Sequence, residues 1–368
     1  MNRVLAISFF IIIFILVYGL LNFYVLNKLS SLLNIKKDVY FYVLFAVLTI
    51  SIILTTAIAT KSQNKAAKSA YTLSAVWLGL VFLLFCGLLL YELLSRIVAL
   101  PALSSALVII IFCLILSIYS MLNAHDISVK AIKIPINGLE KQTKIIHLSD
   151  IHLGIVNKQD YLKEIVNKVN LLNPQAVMIT GDLFDGSASI DEEILKPLKE
   201  LKMPVFFVIG NHEQIEGLDK IIPLVQKTNM ITLRDEYKEW ENLTILGVEF
   251  AETPSHLRTA LDTIPYPKDK PIILLYHAPA LKANELAKHN ISLHLAGHTH
   301  NGQIFPFNFI VGLFYAYTKG LHADTKSSSF VYVNSGTGTW GPPMRLGSKS
   351  EITLIELVPK NQRAPKKL

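Results

Sequence analysis

The side chains able to do chemistry in this 368-residue chain are concentrated in five short blocks of its second half. In order they are Asp150-Ile151-His152, Gly181-Asp182-Leu183-Phe184-Asp185, Gly210-Asn211-His212-Glu213, His277, and Gly297-His298-Thr299-His300. A lone Asp-x-His or Gly-Asp occurs in many chains. The five blocks together supply carboxylate, amide and imidazole donors for two adjacent divalent cations, and two-metal sites are used mainly to hydrolyse phosphate esters. With no thiolate in the set, the donors suit Mn²⁺ first, with Fe or Zn²⁺ as alternatives, and disfavour copper(I) or iron–sulfur centres. A carboxylate able to bridge, here Asp182, would hold two cations about 3.5–4 Å apart, and their joint charge makes hydroxide available from a shared water near neutral pH.

Donors this far apart in sequence need a scaffold that gathers them. Short runs rich in Val, Ile and Phe at Lys144–Leu148, Ala176–Thr180, Val205–Ile209, Leu243–Val248, Ile272–Tyr276 and Ile291–Ala296 read as strands. Gln159–Leu172 and Asp191–Leu201 carry the spacing of amphipathic helices, with Asp191 as an N-cap. Strand and helix alternate, so the class is α/β with buried strands. Phe330–Val333 and Glu351–Leu357 are more purely strand-like and suggest a second sheet. Each donor block directly follows a predicted strand, and α/β sheets bind ligands outside the carboxyl ends of their strands. Gly181, Gly210 and Gly297 precede donors where backbone must come close.

The order and spacing of these blocks resemble the calcineurin-like metallophosphoesterase superfamily over about residues 146–357. The resemblance implies a four-layer α/β/β/α sandwich. It also implies that Asp150, His152, Asp182 and His300 hold one metal, and that Asp182 bridges to a second completed by Asn211, His277 and His298. In that reading a hydroxide shared by the two cations attacks phosphorus. His212 protonates or stabilises the leaving oxygen, while Asp185 and Glu213 match supporting positions behind the ligands. The block Gly336-Thr337-Gly338-Thr339-Trp340-Gly341-Pro342-Pro343-Met344-Arg345-Leu346, followed by Glu351-Ile352, is similar to the C-terminal signature of a membrane-anchored branch. Some members of that branch hydrolyse the diphosphate bond of UDP-diacylglucosamine. Four anchoring helices depart from members that carry one leader helix or none.

Composition places the anchor. Of the 35 Lys and Arg and 28 Asp and Glu, eight and two fall in residues 1–122, leaving 27 and 26 beyond. Nearly all of the net charge of +7 therefore sits between apolar runs, which argues against a nucleic-acid footprint on the soluble domain. Runs near 4–26, 39–60, 71–94 and 102–122 each reach the roughly 20 apolar residues that a spanning helix needs. A cleaved signal peptide would account only for the first. Pro101 separates the last two. The expected organisation is an all-α transmembrane anchor over 1–122, a linker and leading strand over 123–142, a catalytic domain over 143–358, and a basic disordered tail over 359–368.

Arg3, Lys61, Lys65, Lys68, Lys130 and Lys133 against Lys28, Lys36, Lys37 and Arg96 lean towards cytoplasmic termini and a cytoplasmic catalytic domain of a multi-pass membrane protein. Cys86 and Cys113 both lie in apolar runs, so no disulfide framework exists and the redox compartment stays open. Within the spans, Asn22 and the pair Glu92/Arg96 are the polar exceptions. The pair, one helical turn apart, reads as self-satisfying.

Two features have two readings. Arg345 either grips a substrate phosphate or pins the Gly- and Pro-rich loop around it. The aromatic stretch 304–317 is either a packed loop or a lip facing lipid. His147 and His294 fall inside strands and read as structural, while His125, His256, His289 and His322 read as solvated surface. Tethering favours a phospholipid or lipid-linked diphosphate as substrate. The alternatives are a soluble nucleotide or phosphodiester, or a receptor or scaffold that binds metal without turnover. Oligomeric state is not legible.

Overall fold

A computed structural model describes residues 3–62, 64–186, 191–323 and 328–360, with side chains from residue 12 onward. The basic tail expected to be disordered lies, from residue 361, outside the described residues. The chain divides into two compact units, one running to Leu122 and also holding Gly341–Met344, the other formed by the rest from Asn123.

The first unit consists of helices α1 (Arg3–Leu32), α2 (Val39–Lys61), α3 (Lys65–Ser95) and α4 (Ala102–His125). All four are long and apolar enough to cross a membrane. Asp38 and Asn64 cap α2 and α3 by accepting from Tyr40 N and Ala67 N, which satisfies amides with no partner inside the helix. Asn22 is satisfied between helices: its Oδ1 accepts from Trp77 Nε1 at 2.8 Å and its Nδ2 donates to Tyr18 O at 2.9 Å. Glu92 differs from expectation. Its carboxylate pairs with Lys28 of α1 at 2.7 Å, so the ion pair joins two helices and is not made with Arg96 a turn away.

The second unit is built on two six-stranded sheets. The first runs in the order β1 (Ile127–Ile136), β12 (Ser350–Pro359), β2 (Thr143–Leu148), β3 (Ala176–Thr180), β4 (Val205–Val208) and β5 (Met230–Thr232). The second runs β10 (Gly320–Ala323), β11 (Phe330–Val333), β9 (Ile291–Ala296), β8 (Ile272–Leu275), β7 (Leu243–Gly247) and β6 (Glu236–Trp240). The expectation for Glu351–Leu357 needs correction. These residues lie in β12 of the first sheet, parallel to β1 and antiparallel to β2.

The pleat sorts the core. On the first sheet Ile145, Met178 and Phe206 point inward against Ile273, Leu293 and Tyr332 of the second, while Ile146, Val177 and Phe207 point the other way. That outer face is covered by α5 (Gln159–Leu172), a 3₁₀ segment at Glu192–Glu200, and α7 (Leu218–Gln226), which follows the short α6 (Asn211–Glu216). Leu162, Ile165, Val166 and Val169 form the buried stripe of α5. Asp191 caps the 3₁₀ segment as expected, accepting from Ile194 N, but Pro197 lies inside it and lacks the N–H an α-helix would use. The far face of the second sheet is covered by α8 (Pro254–Thr263) and α9 (Ala283–Ala287). The layers are α/β/β/α. A last helix, α10 (Phe307–Phe314), buries no residue.

Candidate metal centre

All five donor blocks leave the carboxyl ends of parallel strands. Asp150 and His152 follow β2, Asp182 follows β3, Asn211 and His212 open α6 after β4, His277 follows β8, and His298 and His300 follow β9. The two sheets face each other, so blocks from both meet at one rim.

The backbone there is under strain. Asp150, His152, Asp182, His298 and His300 all have positive φ, between 48° and 70°. Non-glycine residues seldom adopt this left-handed conformation, and where they do they cluster at functional sites. Close approach also explains Gly297, where a Cβ would collide with Ser149 and Asp150.

The side chains form two groups. In one, His300 Nε2 lies 3.3 Å from Asp150 Oδ1 and 3.0 Å from His152 Nε2. In the other, His298 Nδ1 lies 3.0 Å from His277 Nε2 and 2.9 Å from Asn211 Oδ1, and His277 Nε2 lies 3.2 Å from Asp182 Oδ2. That same Oδ2 is 3.9 Å from His152 Nε2, so Asp182 stands between the groups. Imidazole nitrogens 3.0 Å apart put lone pair against lone pair unless something positive lies between them. The residues fit divalent cations: Asp150, His152 and His300 form one close group of nitrogen and oxygen donors, Asp182, His277 and His298 another, and His152, Asp185 and His212 a third.

The electrostatics point the same way. Burial opposes ionisation of Asp150 and Asp182, yet the imidazoles of His300, His277, His212 and His152 hold both carboxyls well below the usual range. His277 is pushed up to about 9 against its burial, chiefly by the Asp182 carboxylate. Burial and neighbouring imidazoles push His152 well down and His298 down to about 4. Asp150 and Asp182 are thus held as carboxylates and His152 and His298 as neutral imidazoles, the forms that ligate a cation.

Backbone carbonyls fix which nitrogens face the rim. His277 Nδ1 donates to Thr180 O at 2.7 Å, freeing Nε2 for a cation. His212 Nδ1 donates to Asp185 O at 2.6 Å, leaving Nε2 3.9 Å from Asp182 Oδ2. Glu213 is fully buried and accepts from Gly210 N, Asp182 N and Phe184 N, tying the β3 and β4 loops together. Burial first, then the Asp182 carboxylate, pushes its carboxyl up to about 7.

Arg345 is fully buried, and its guanidinium donates to Gly336 O, Gly338 O and Ser348 Oγ, bonds that hold the loop, while one of its nitrogens lies 3.4 Å from His300 Nδ1. His147 and His294 are buried and bonded to Thr180 Oγ1 and Tyr276 O, as their strand positions suggested. His256 pairs with Asp235 on the surface.

Three aromatic residues at the rim carry no motif of their own. Phe250 packs 5.5 Å from both His277 and His298, Tyr315 sets its edge 5.4 Å from His298, and half-exposed Trp340 stands 5.8 Å from His212. Gln303 clamps Trp340 through both its amide groups. Trp340 lies in the quoted signature block, but only its placement beside His212 marks it as part of the site.

Residues 143–302 match the family model for calcineurin-like phosphoesterases. The chain is 30% identical to an uncharacterised metallophosphoesterase of Campylobacter jejuni, over 95% of this chain and 98% of that one. It is 36% identical to an uncharacterised metallophosphoesterase of Helicobacter pylori, over 64% of this chain, and it spans 65% of that relative's length. A transmembrane protein with metallophosphoesterase domain from Danio rerio is 33% identical over 78% of this chain and 72% of its own.

Proposed function

The chain belongs to the calcineurin-like phosphoesterase family, and from that premise we propose that it is a membrane-anchored, two-metal phosphoesterase that cleaves a lipid-linked phosphoester or diphosphate on the cytoplasmic face. What supports the chemistry is the position of Asp182, whose Oδ2 lies 3.2 Å from His277 Nε2 and 3.9 Å from His152 Nε2. Asp150, His152 and His300 would hold one cation, Asn211, His277 and His298 the other, and Asp182 both. When bound, such a pair supplies Lewis-acid charge for phosphoryl oxygens and lowers the pKa of a coordinated water. Mn²⁺ is the first choice, with Fe or Zn²⁺ as alternatives.

The chain's own residues supply the rest. His212 would pass a proton from Nε2 to the leaving oxygen when its ring is doubly protonated, the ring being fixed by its Nδ1–H on the carbonyl of Asp185. Glu213 and Asp185 act through their neighbours and position the loops. Trp340 and Tyr315 stand at the rim beside His212 and His298. Lys61, Lys65, Lys68, Lys130 and Lys133 on the α2–α3 and α4–β1 side support a cytoplasmic domain. Tethering supports a substrate that already resides in the bilayer.

The test is purified full-length protein with Mn²⁺, assayed on an aryl phosphodiester and on a panel of phospholipids and lipid diphosphates. Preferred turnover of a lipid is expected. Preference for a soluble nucleotide or diester would move the substrate class. Metal loading without turnover of any ester would replace the enzyme with a metal-binding receptor or scaffold.

A further inference from the structure

We propose that α10 is a foot that inserts into the bilayer beside the metal centre. The proposal rests on the anchoring part of the reading above and not on its chemistry.

From Gln303 to Thr318 the chain carries no charged residue. Within that stretch Phe309, Leu313 and Phe314 are 64%, 82% and 79% exposed, and Phe305, Phe307 and Ile310 are exposed beside them. Six large apolar side chains on one short helix and its lead-in form a contiguous apolar patch, and such patches mark contact surfaces. Interfacial helices bury an apolar face of this kind at the boundary between headgroup and acyl chain.

Chain path selects the occupant. The fourth apolar helix, α4, ends at His125 and β1 begins at Ile127, so one residue separates a candidate span from the catalytic sheet. The end of α4 is fastened where it enters that sheet. Asn123 Nδ2 donates to Arg345 O at 2.8 Å and to Ser348 O at 2.9 Å, and Ser350 Oγ donates to Ala124 O. The segment it grips is in turn paired with the approach to α10: Leu346 N donates to Gln303 O at 3.0 Å and Phe305 N to Leu346 O at 2.9 Å. Two hydrogen-bonded links thus join the stretch at Asn123, directly after the fourth apolar helix in the chain, to the start of the exposed apolar helix. The bilayer entered by that preceding segment is the occupant proposed for this face. Tyr315, the residue after α10, touches His298, so insertion would bring lipid headgroups to the rim of the donor cluster.

The experiment reads α10 directly. Full-length protein carrying Cys86→Ala, Cys113→Ala and Leu313→Cys is labelled with an environment-sensitive fluorophore. It is then reconstituted into phosphatidylcholine–phosphatidylglycerol vesicles bearing nitroxide on their acyl chains. Leu171→Cys, at a leucine 85% exposed on α5, is the control. Quenching several-fold stronger at position 313 than at 171, with blue-shifted emission, is expected. Equal quenching at both positions overturns the proposal. So does blue-shifted emission without lipid quenching, which would assign the face to a second copy or another protein. Phe314→Trp in the native cysteine background, read with brominated acyl chains, gives the same answer should the cysteine variants misfold. No added quenching over the parent overturns the proposal there too. Flotation of unlabelled protein with the vesicles tests anchoring separately.

Discussion

His212 gives its Nδ1 proton to the main-chain carbonyl of Asp185 at 2.6 Å, so its other ring nitrogen is the one turned towards Asp182. A carbonyl can only accept, so this contact keeps a hydrogen on Nδ1, and Nε2 can serve as an acid only from the doubly protonated ring. Replacing His212 with Ala should cut turnover of an aryl phosphodiester by about 10²–10⁴-fold, the range typical of a lost general acid, while both metals stay bound. Paired kinetics and elemental analysis check it. Near wild-type turnover would remove His212 from the mechanism.

Asp182 stands between both donor groups, whereas Asn211 touches only one. Asp182→Asn should therefore drop metal content from two equivalents to below one. Asn211→Ala should leave about one. Inductively coupled plasma measurement on protein reloaded with Mn²⁺ distinguishes them, and equal losses from the two variants would contradict the shared carboxylate.

Arg345 satisfies two carbonyls and a hydroxyl inside the 336–348 loop. Arg345→Met should leave buried Gly338 O without its donor, at about 1–3 kcal/mol, while Gly336 O keeps Glu351 N and Ser348 Oγ keeps Gln303 O. A clear fall in Tm is expected, with kcat lowered through the loosened rim and KM for a soluble ester little changed. An unchanged Tm with raised KM would restore a direct grip on substrate.

Burial pushes His147 down to about 3 and His294 down to about 4 from the ordinary value near 6.5. Below pH 6.5 the unfolded chain takes up protons that the folded one refuses. Stability is thus fully present above that pH and is lost as pH falls towards 4. Each group contributes at most about 1.4 kcal/mol per pH unit. In chelator-treated protein, His294→Leu should flatten the fall in Tm between pH 6.5 and 5 relative to the parent. An identical slope would sink the assignment.

The strands that deliver donors were legible because strands buried on both faces read as unbroken apolar runs. What escaped was either exposed or non-local. β5 is half-buried throughout and β6 reads Glu-Tyr-Lys-Glu-Trp, so neither shows an apolar run. β12 was recognised as a strand but misplaced, since its partners β1 and β2 lie about 200 residues upstream and no local pattern encodes that pairing. Glu92 was matched to the nearest charge on its own helix, although its partner Lys28 is on another. The sequence around Arg345 suits both readings, because neither its burial nor its loop carbonyl partners are encoded locally.

The left-handed backbone at five donor positions restricts which residues can evolve there. Asp, Asn and His tolerate that conformation far better than β-branched or bulky side chains do. They are also the short donors that reach a cation from a turn. Backbone sterics and coordination chemistry thus select the same small alphabet independently, and a drift to Thr, Val or Ile at these five places would fail on conformation before it failed on ligation.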